Sequence, residues 1–406
     1  MRQDTQEATL NGATLESEKT SMMRQPVAVW ATALACVFAF MGIGLVDPIL
    51  PAIAENLDAG ASEVSLLFTS YFAVTAVMML VTGAVSSRIG GKKTLLSGLA
   101  LIVIFAGLAG TSNSVGELVG YRAGWGLGNA LFVATALAVI VSVASGGRAV
   151  AIILYEAALG LGMAAGPLLG AALGSLNWRG PFFGTAALML IALVVLLFKL
   201  PATPPPAQKT SLTAPLKALK HRGLFGVSFS ALFYNFGFFT VLAYTPFILG
   251  FGEIGIGAVF FGWGCCLAVF SVFIAPLIQN RIGAANTTMA TLVGLLLIYV
   301  LLGAFHDTTP VVVVLVVVSG ALLGINNTMY TEMAMSVSDA PQPVASAGYN
   351  FVRWMGGVIA PFTATKLGEG VGVSVPYYVA AVVAVVAVIV MLASRNHVEA
   401  HGPEAV

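Results

Sequence analysis

Residues 158–174 read ALGLGMAAGPLLGAALG. Ala158, Gly162, Gly166, Gly170 and Gly174 recur every four residues, which lays small side chains along one face of a helix so that a second helix can approach closely. Pro167 interrupts this stripe. It has no N–H to give to the carbonyl of Met163, so the helix is expected to bend there and act as a pivot. No Asp, Glu, Lys or Arg lies between Glu156 and Arg179, and a run of that length is enough to cross about 30 Å of hydrocarbon.

The rest of the 406-residue chain is of the same kind: 58% of residues are hydrophobic and 9% charged. An ordinary soluble domain is roughly one quarter charged, so most of this surface faces lipid. The net charge of +1 gives no electrostatic reason to expect nucleic acid or an acidic protein partner. Cys36, Cys265 and Cys266 sit in apolar runs without metal-ligand spacing, and His221, His306, His397 and His401 fall in loops or tails. Neither disulfides nor a metal site is therefore expected. No nucleotide fingerprint and no Ser/His/Asp constellation occurs, so the chain reads as neither an ATP-driven pump nor an enzyme.

Gly, Pro and charge breaks separate apolar runs at 27–50, 63–86, 93–111, 117–144, 149–175 and 181–200. A second set follows at 223–249, 255–279, 285–305, 310–336, 343–368 and 373–393. The expected architecture is an all-α integral membrane protein of twelve transmembrane helices. It divides into a tail (1–26), a six-helix bundle (27–200), a basic Pro-rich linker (201–222), a second six-helix bundle (223–394) and a second tail (395–406). With both termini in the cytoplasm, fourteen of the 18 Lys and Arg lie inside and only Arg179 and Lys366 outside, as the positive-inside rule requires. The first 26 residues carry Asp4, Glu7, Glu16 and Glu18, unlike a cleaved secretory signal. Ser87-Arg88-Ile89-Gly90 is echoed by Asn280-Arg281-Ile282-Gly283, and Gly166-Pro167 by Ala360-Pro361, in nearly one register. Two such echoes predict duplicated, pseudo-symmetric halves, from which rocking transporters are built.

Five charged side chains are read inside the spans: Asp47, Arg122, Glu156, Glu332 and Arg353. Charge within a membrane is costly enough to imply function. Asp47 precedes Pro48 and Pro51, so the carbonyls of Gly44 and Asp47 lose their helical donors. Arg122 lies at a similar depth in the same half and is expected to pair with it. Asp47 titrates and a guanidinium effectively does not, so the pair is expected to switch with a proton. Glu156 lies about 12 Å along its helix from Arg148, near the membrane middle, suited to a cationic substrate or a second proton. Glu332 and Arg353 are expected to pair in the second half.

The chain resembles the major facilitator superfamily, and within it the twelve-helix drug:proton antiporters. Residues 83–93 are similar to the superfamily's GxxxDRxGRK loop, with Gly83, Arg88 and Gly90 in register, Ser87 where aspartate is usual and Gly91 in place of a common arginine. Arg122 with Gly126 is similar to the family's RxxxG pattern. Gly162, Gly166, Pro167 and Gly170, followed by Trp178, Arg179 and Phe182, resemble the motif that separates antiporters from symporters. The resemblance implies the major facilitator fold and a conformational role for Gly83, Arg88, Gly90, Gly162, Gly166, Pro167 and Gly170. It also places Tyr71, Glu156, Tyr234, Asn235, Phe238, Phe239, Asn326, Asn327, Glu332, Tyr349, Asn350 and Arg353 on spans that line the substrate cavity in relatives. The function it implies is export of hydrophobic or amphiphilic compounds in exchange for protons by a monomer in a bacterial cytoplasmic membrane. The partners are then a small-molecule substrate, protons and the lipid bilayer, with the proton as coupling ion and no cofactor. Export of a lipid or a secreted metabolite such as a siderophore, and proton-coupled metabolite uptake, are the alternatives.

Overall fold

The computed structural model describes residues 25–145, 147–202, 205 and 209–399, without the side chains of 147–150, 152, 153, 156 and 399. Most of the first tail, part of the linker and residues 400–406 thus lie outside the described residues.

The first half contains α1 (Val27–Gly44), a 3₁₀ turn (Asp47–Ile49), α2 (Leu50–Asn56), α3 (Ala61–Ile89), α4 (Gly91–Gly110), α5 (Val115–Val143), α6 (Gly147–Gly174) and α7 (Gly180–Lys199). A short linker helix, α8 (Ala214–Ala218), leads to the second half. There follow α9 (Arg222–Ile248), α10 (Glu253–Val269), a π-helical turn (Phe270–Ile274), α11 (Ala275–Ile282), α12 (Ala284–Ala304), α13 (Thr309–Ser336), α14 (Gln342–Gly370) and α15 (Val375–Glu399). Pro181, Pro310 and Pro343 each stand in a first helical turn, where a missing N–H costs no hydrogen bond. Pro276 deprives the carbonyl of Val272 of its donor, and the helix takes up the loss in the π-helical turn.

Among the described residues eleven helical segments are long and apolar enough to cross a membrane. The twelfth, α14, is equally long at 29 residues but richer in polar and small side chains, and it is held by packing against α3 and α9. The first span does not end near residue 50 as expected. It breaks before Asp47 and resumes to Asn56, because Pro48 and Pro51 remove successive helical donors. The last helix runs to Glu399, past the expected boundary at 394.

The duplication is visible in the packing. In the first half α1 packs on α6 and α7, α3 on α5, and α4 on α5 and α7. In the second half the equivalents repeat: α9 packs on α14 and α15, α10 on α13, and α12 on α13 and α15. The halves meet through α3 with α14 and α6 with α10, which the same symmetry relates. The repeated turns also match in backbone, with Gly90 at φ 88° and Gly283 at φ 79°. With ψ of 156° and 159° these positions belong to a region that side chains avoid. Gly90→Ala and Gly283→Ala are each expected to cost about 1–3 kcal/mol, seen as a lowered unfolding temperature in detergent.

Candidate coupling and substrate site

The glycine stripe lies where α6 meets α1. A β-carbon built on Gly162 would stand 2.6 Å from the Val37 carbonyl oxygen, and one on Gly166 would stand 2.7 Å from that of Met41. Gly170 abuts the Leu45 carbonyl and Gly174 the Ile49 side chain. The other side of α6 meets the second half: Gly257 of α10 lies against Ala171 and the Pro167 carbonyl, and Gly264 against Ala164 and the Met163 carbonyl. Helix α6 is thus clamped on two sides at backbone distance, one contact within its own half and one across the interface.

The break in α1 faces the proline of α6. A β-carbon on Gly44 would stand 3.1 Å from Pro167 Cδ and 3.7 Å from Asp47 Oδ2. Asp47 is fully buried, and neither of its carboxylate oxygens has a hydrogen-bond partner. Arg122 on α5 is also fully buried, with Nε, Nη1 and Nη2 all unpartnered. The two charges lie close enough to act on one another. Among the described residues, however, no ion pair joins them. The expected salt bridge is replaced by contact with a corner of two aromatic rings: the guanidinium lies 4.4 Å from the Tyr71 ring centroid and 4.6 Å from that of Trp125. These two rings meet edge to face at 6.3 Å, and a cation is attracted to their faces. Tyr71, expected at the substrate cavity, is instead buried against Arg122, with its hydroxyl unpartnered.

In the second half, Arg353 Nη2 donates to Asn327 Oδ1 at 2.5 Å, Nη1 to the Tyr349 hydroxyl at 3.3 Å and Nε to Asn235 Oδ1 at 3.4 Å. Asn235 Nδ2 donates back to the Arg353 carbonyl at 3.1 Å. Four residues expected at the cavity, Asn235, Asn327, Tyr349 and Arg353, therefore converge from α9, α13 and α14. Glu332 is not among them. It accepts from Gln279 Nε2 at 2.6 Å, so the expected Glu332–Arg353 pair does not form. Tyr234 donates to the Leu323 carbonyl at 2.7 Å and Asn326 accepts from Thr291 at 3.0 Å, both buried contacts within the half. Asn350 donates to Ser346 one turn away on its own helix. The Glu156 side chain lies outside the described residues.

The sequence reading missed Phe72 and Trp354. Their rings stack across the interface with centroids 5.0 Å apart and planes 11° from parallel. Phe239 flanks both, at 4.4 Å and 6.0 Å, and Phe238 links it to Trp263. A lone aromatic in a span reads as core or lipid contact, and nothing local marks one that pairs across halves.

This stack is one rung of a ladder between α3 and α14. The Ser62 N–H donates to Glu369 Oε1, Ser65 Oγ shares a hydrogen with Thr365 Oγ1, and Thr69 Oγ1 donates to the Val358 carbonyl, each at 2.9 Å. Residues 62, 65, 69 and 72 fall on one helical face. The ladder closes the half of the molecule remote from the linker. On the linker side, the Thr210 N–H donates to Ser87 Oγ at 3.1 Å, at the position where aspartate is usual in the resembled loop. Pro215 of α8 packs on Gly348 of α14, and Arg88 Nη1 donates to the Ala84 carbonyl of its own helix at 2.7 Å.

Comparison with known proteins agrees with this architecture. The family model described as Major Facilitator Superfamily matches residues 32–361. The chain is 51% identical over 388 residues to the multidrug efflux protein YfmO of Bacillus subtilis (strain 168), covering 96% of this chain and 98% of that one. It is 31% identical over 171 residues to the tetracenomycin C resistance and export protein of Streptomyces glaucescens, covering 41% of this chain and 32% of that one. The crystal structure of the human organic anion transporter MFSD10 shares the fold with a TM-score of 0.67 at 17% identity, over 90% of this chain and all of that one. Two matched six-helix halves, the clamped glycine helix and a family match spanning most of the sequence lead to one conclusion: the chain belongs to the Major Facilitator Superfamily.

Proposed function

We propose that this multi-pass membrane protein exports hydrophobic or amphiphilic small molecules in exchange for protons by alternating access. It is a transporter and not an enzyme. The observation that carries the coupling is the buried, unpaired Asp47, at the break in α1 that faces Pro167 of α6. A carboxyl at the break in α1, where α1 is clamped against a continuous α6, can be wetted in one conformation and dried in another, and so can load and release a proton. Arg122, held by two rings rather than by a carboxylate, is free to change its distance to Asp47 as the helices move. The relatives' names, multidrug efflux and resistance and export, favour export over metabolite uptake or lipid release.

In this reading the linker face and both termini are cytoplasmic, the ladder is the outer gate, and the conformation is closed to the outside. Gly83 and Arg88 in the last turns of α3, with Gly90 at the turn into α4, form the inner hinge. Arg353, Asn235, Asn327 and Tyr349 supply polar contacts for substrate, with Tyr234, Phe238, Asn326, Glu332 and Asn350 supporting that wall, and Glu156 serves as a further ligand for a cationic substrate or a second proton. The protein works as a monomer in a bacterial cytoplasmic membrane, with the proton as its coupling ion and no bound cofactor. The test is transport in proteoliposomes under an imposed proton gradient. Substrate is expected to accumulate uphill with protons moving the opposite way, and movement of both in one direction would refute the export reading.

A further inference from the structure

We propose that the Phe72–Trp354 ring pair is a selecting site for planar aromatic substrates, which slide between the two rings as the halves part. The inference rests on the export reading above and adds a substrate class to it. The pair is a built feature. The two rings come from opposite halves and lie nearly parallel, and Phe239 buttresses both. A β-carbon on Gly357 would stand 2.8 Å from Phe239 and 3.1 Å from Phe72, so the rings fill the space that the glycine leaves. The Trp354 indole N–H is buried without a hydrogen-bond partner, which leaves a donor at the edge of the stack for an acceptor atom on a ligand.

The ring pair acts when the gate opens. Its other three rungs are hydrogen bonds, which water replaces as α3 and α14 separate. The stack is different, because parting exposes two apolar faces that water cannot compensate. A planar aromatic molecule about 3.5 Å thick restores contact on both faces at once. It therefore binds the parted state better than the closed one, and only such a difference in affinity lets a ligand drive a conformational change. A molecule whose rings splay in three dimensions touches one face at most. Phe72 also meets Tyr71 edge to face at 5.0 Å, and Tyr71 carries the Arg122 guanidinium. The stack is thus one side chain from the buried charges.

The test compares proflavine, a planar tricyclic cation, with tetraphenylphosphonium, a cation of the same charge whose four rings point tetrahedrally. Binding is measured by equilibrium dialysis and pumping in proteoliposomes, with the full-length protein. Phe72→Leu and Trp354→Leu are each expected to weaken proflavine binding about tenfold while leaving tetraphenylphosphonium within about twofold. Trp354→Phe, which keeps a flat face, is expected to restore most of the loss. Equal weakening of both probes, or of neither, overturns the proposal, as does a wild-type protein that pumps tetraphenylphosphonium but not proflavine, which leaves export standing. A wild-type protein that pumps neither overturns the export reading as well.

Discussion

Asp47→Asn is expected to abolish uphill export while the protein still binds substrate. The substitution keeps the side chain's size and removes the titrating group, so the fold is little disturbed and the coupling is lost. Asp47 makes no hydrogen bond and is fully buried, so no network has to be rebuilt around the amide. The size of the effect follows from the driving force. One pH unit supplies about 1.4 kcal/mol per proton and 100 mV about 2.3 kcal/mol per charge. Exchanged one for one with a neutral substrate, these sustain a gradient of roughly 500-fold. The variant should bring that gradient to unity, with downhill exchange retained, and should release no proton when substrate is added in detergent. Asp47→Glu, which keeps the carboxyl, should retain part of the pumping. If Asp47→Asn still releases protons and pumps at the wild-type rate, the assignment is wrong and Glu156 becomes the next candidate.

Gly166→Leu is the second large effect. Even the first carbon of the new side chain would lie 2.7 Å from the Met41 carbonyl oxygen and 3.3 Å from Met41 Cα, both backbone atoms that cannot swing aside. Helix α1 must then move away from α6, and with it the break that holds Asp47 near Pro167. Overpacking of this kind costs about 1–3 kcal/mol, which a polytopic bundle survives. Transport that depends on the α1–α6 contact is expected to fall at least about a hundredfold, since misplacement by about 1 Å is enough for such a loss. Gly120→Leu on α5 is the control, because a β-carbon there meets nothing within 4 Å. Normal insertion of both variants, with transport lost only in Gly166→Leu, is the expected result. Equal transport by the two would show the stripe to be incidental.

The two experiments probe different layers of one device. Asp47 tests the chemistry of coupling, and Gly166 tests the mechanical contact that sets its surroundings. Loss in both, with substrate binding kept in the first, would tie proton loading to the seam between α1 and α6.

The sequence by itself determined the spans, the duplication and the glycine seam, because each is written in local terms. Hydropathy over about 20 residues decides whether a segment enters lipid. A glycine at a backbone conformation closed to other residues marks the two equivalent turns at Gly90 and Gly283, and a four-residue spacing puts Gly162, Gly166 and Gly170 on one face. Even the break at Asp47 follows from Pro48 and Pro51, although its extension to Asn56 does not. Only the tertiary structure decided who meets whom. Arg122 lies between Tyr71 and Trp125 instead of pairing with Asp47, Glu332 binds Gln279 instead of Arg353, and Phe72 stacks on Trp354 from the other half. A charged or aromatic side chain in a span announces that it needs a partner, because lipid offers none. Which partner it finds depends on helix rotation and crossing, and those are set by the packing of segments far apart in the chain.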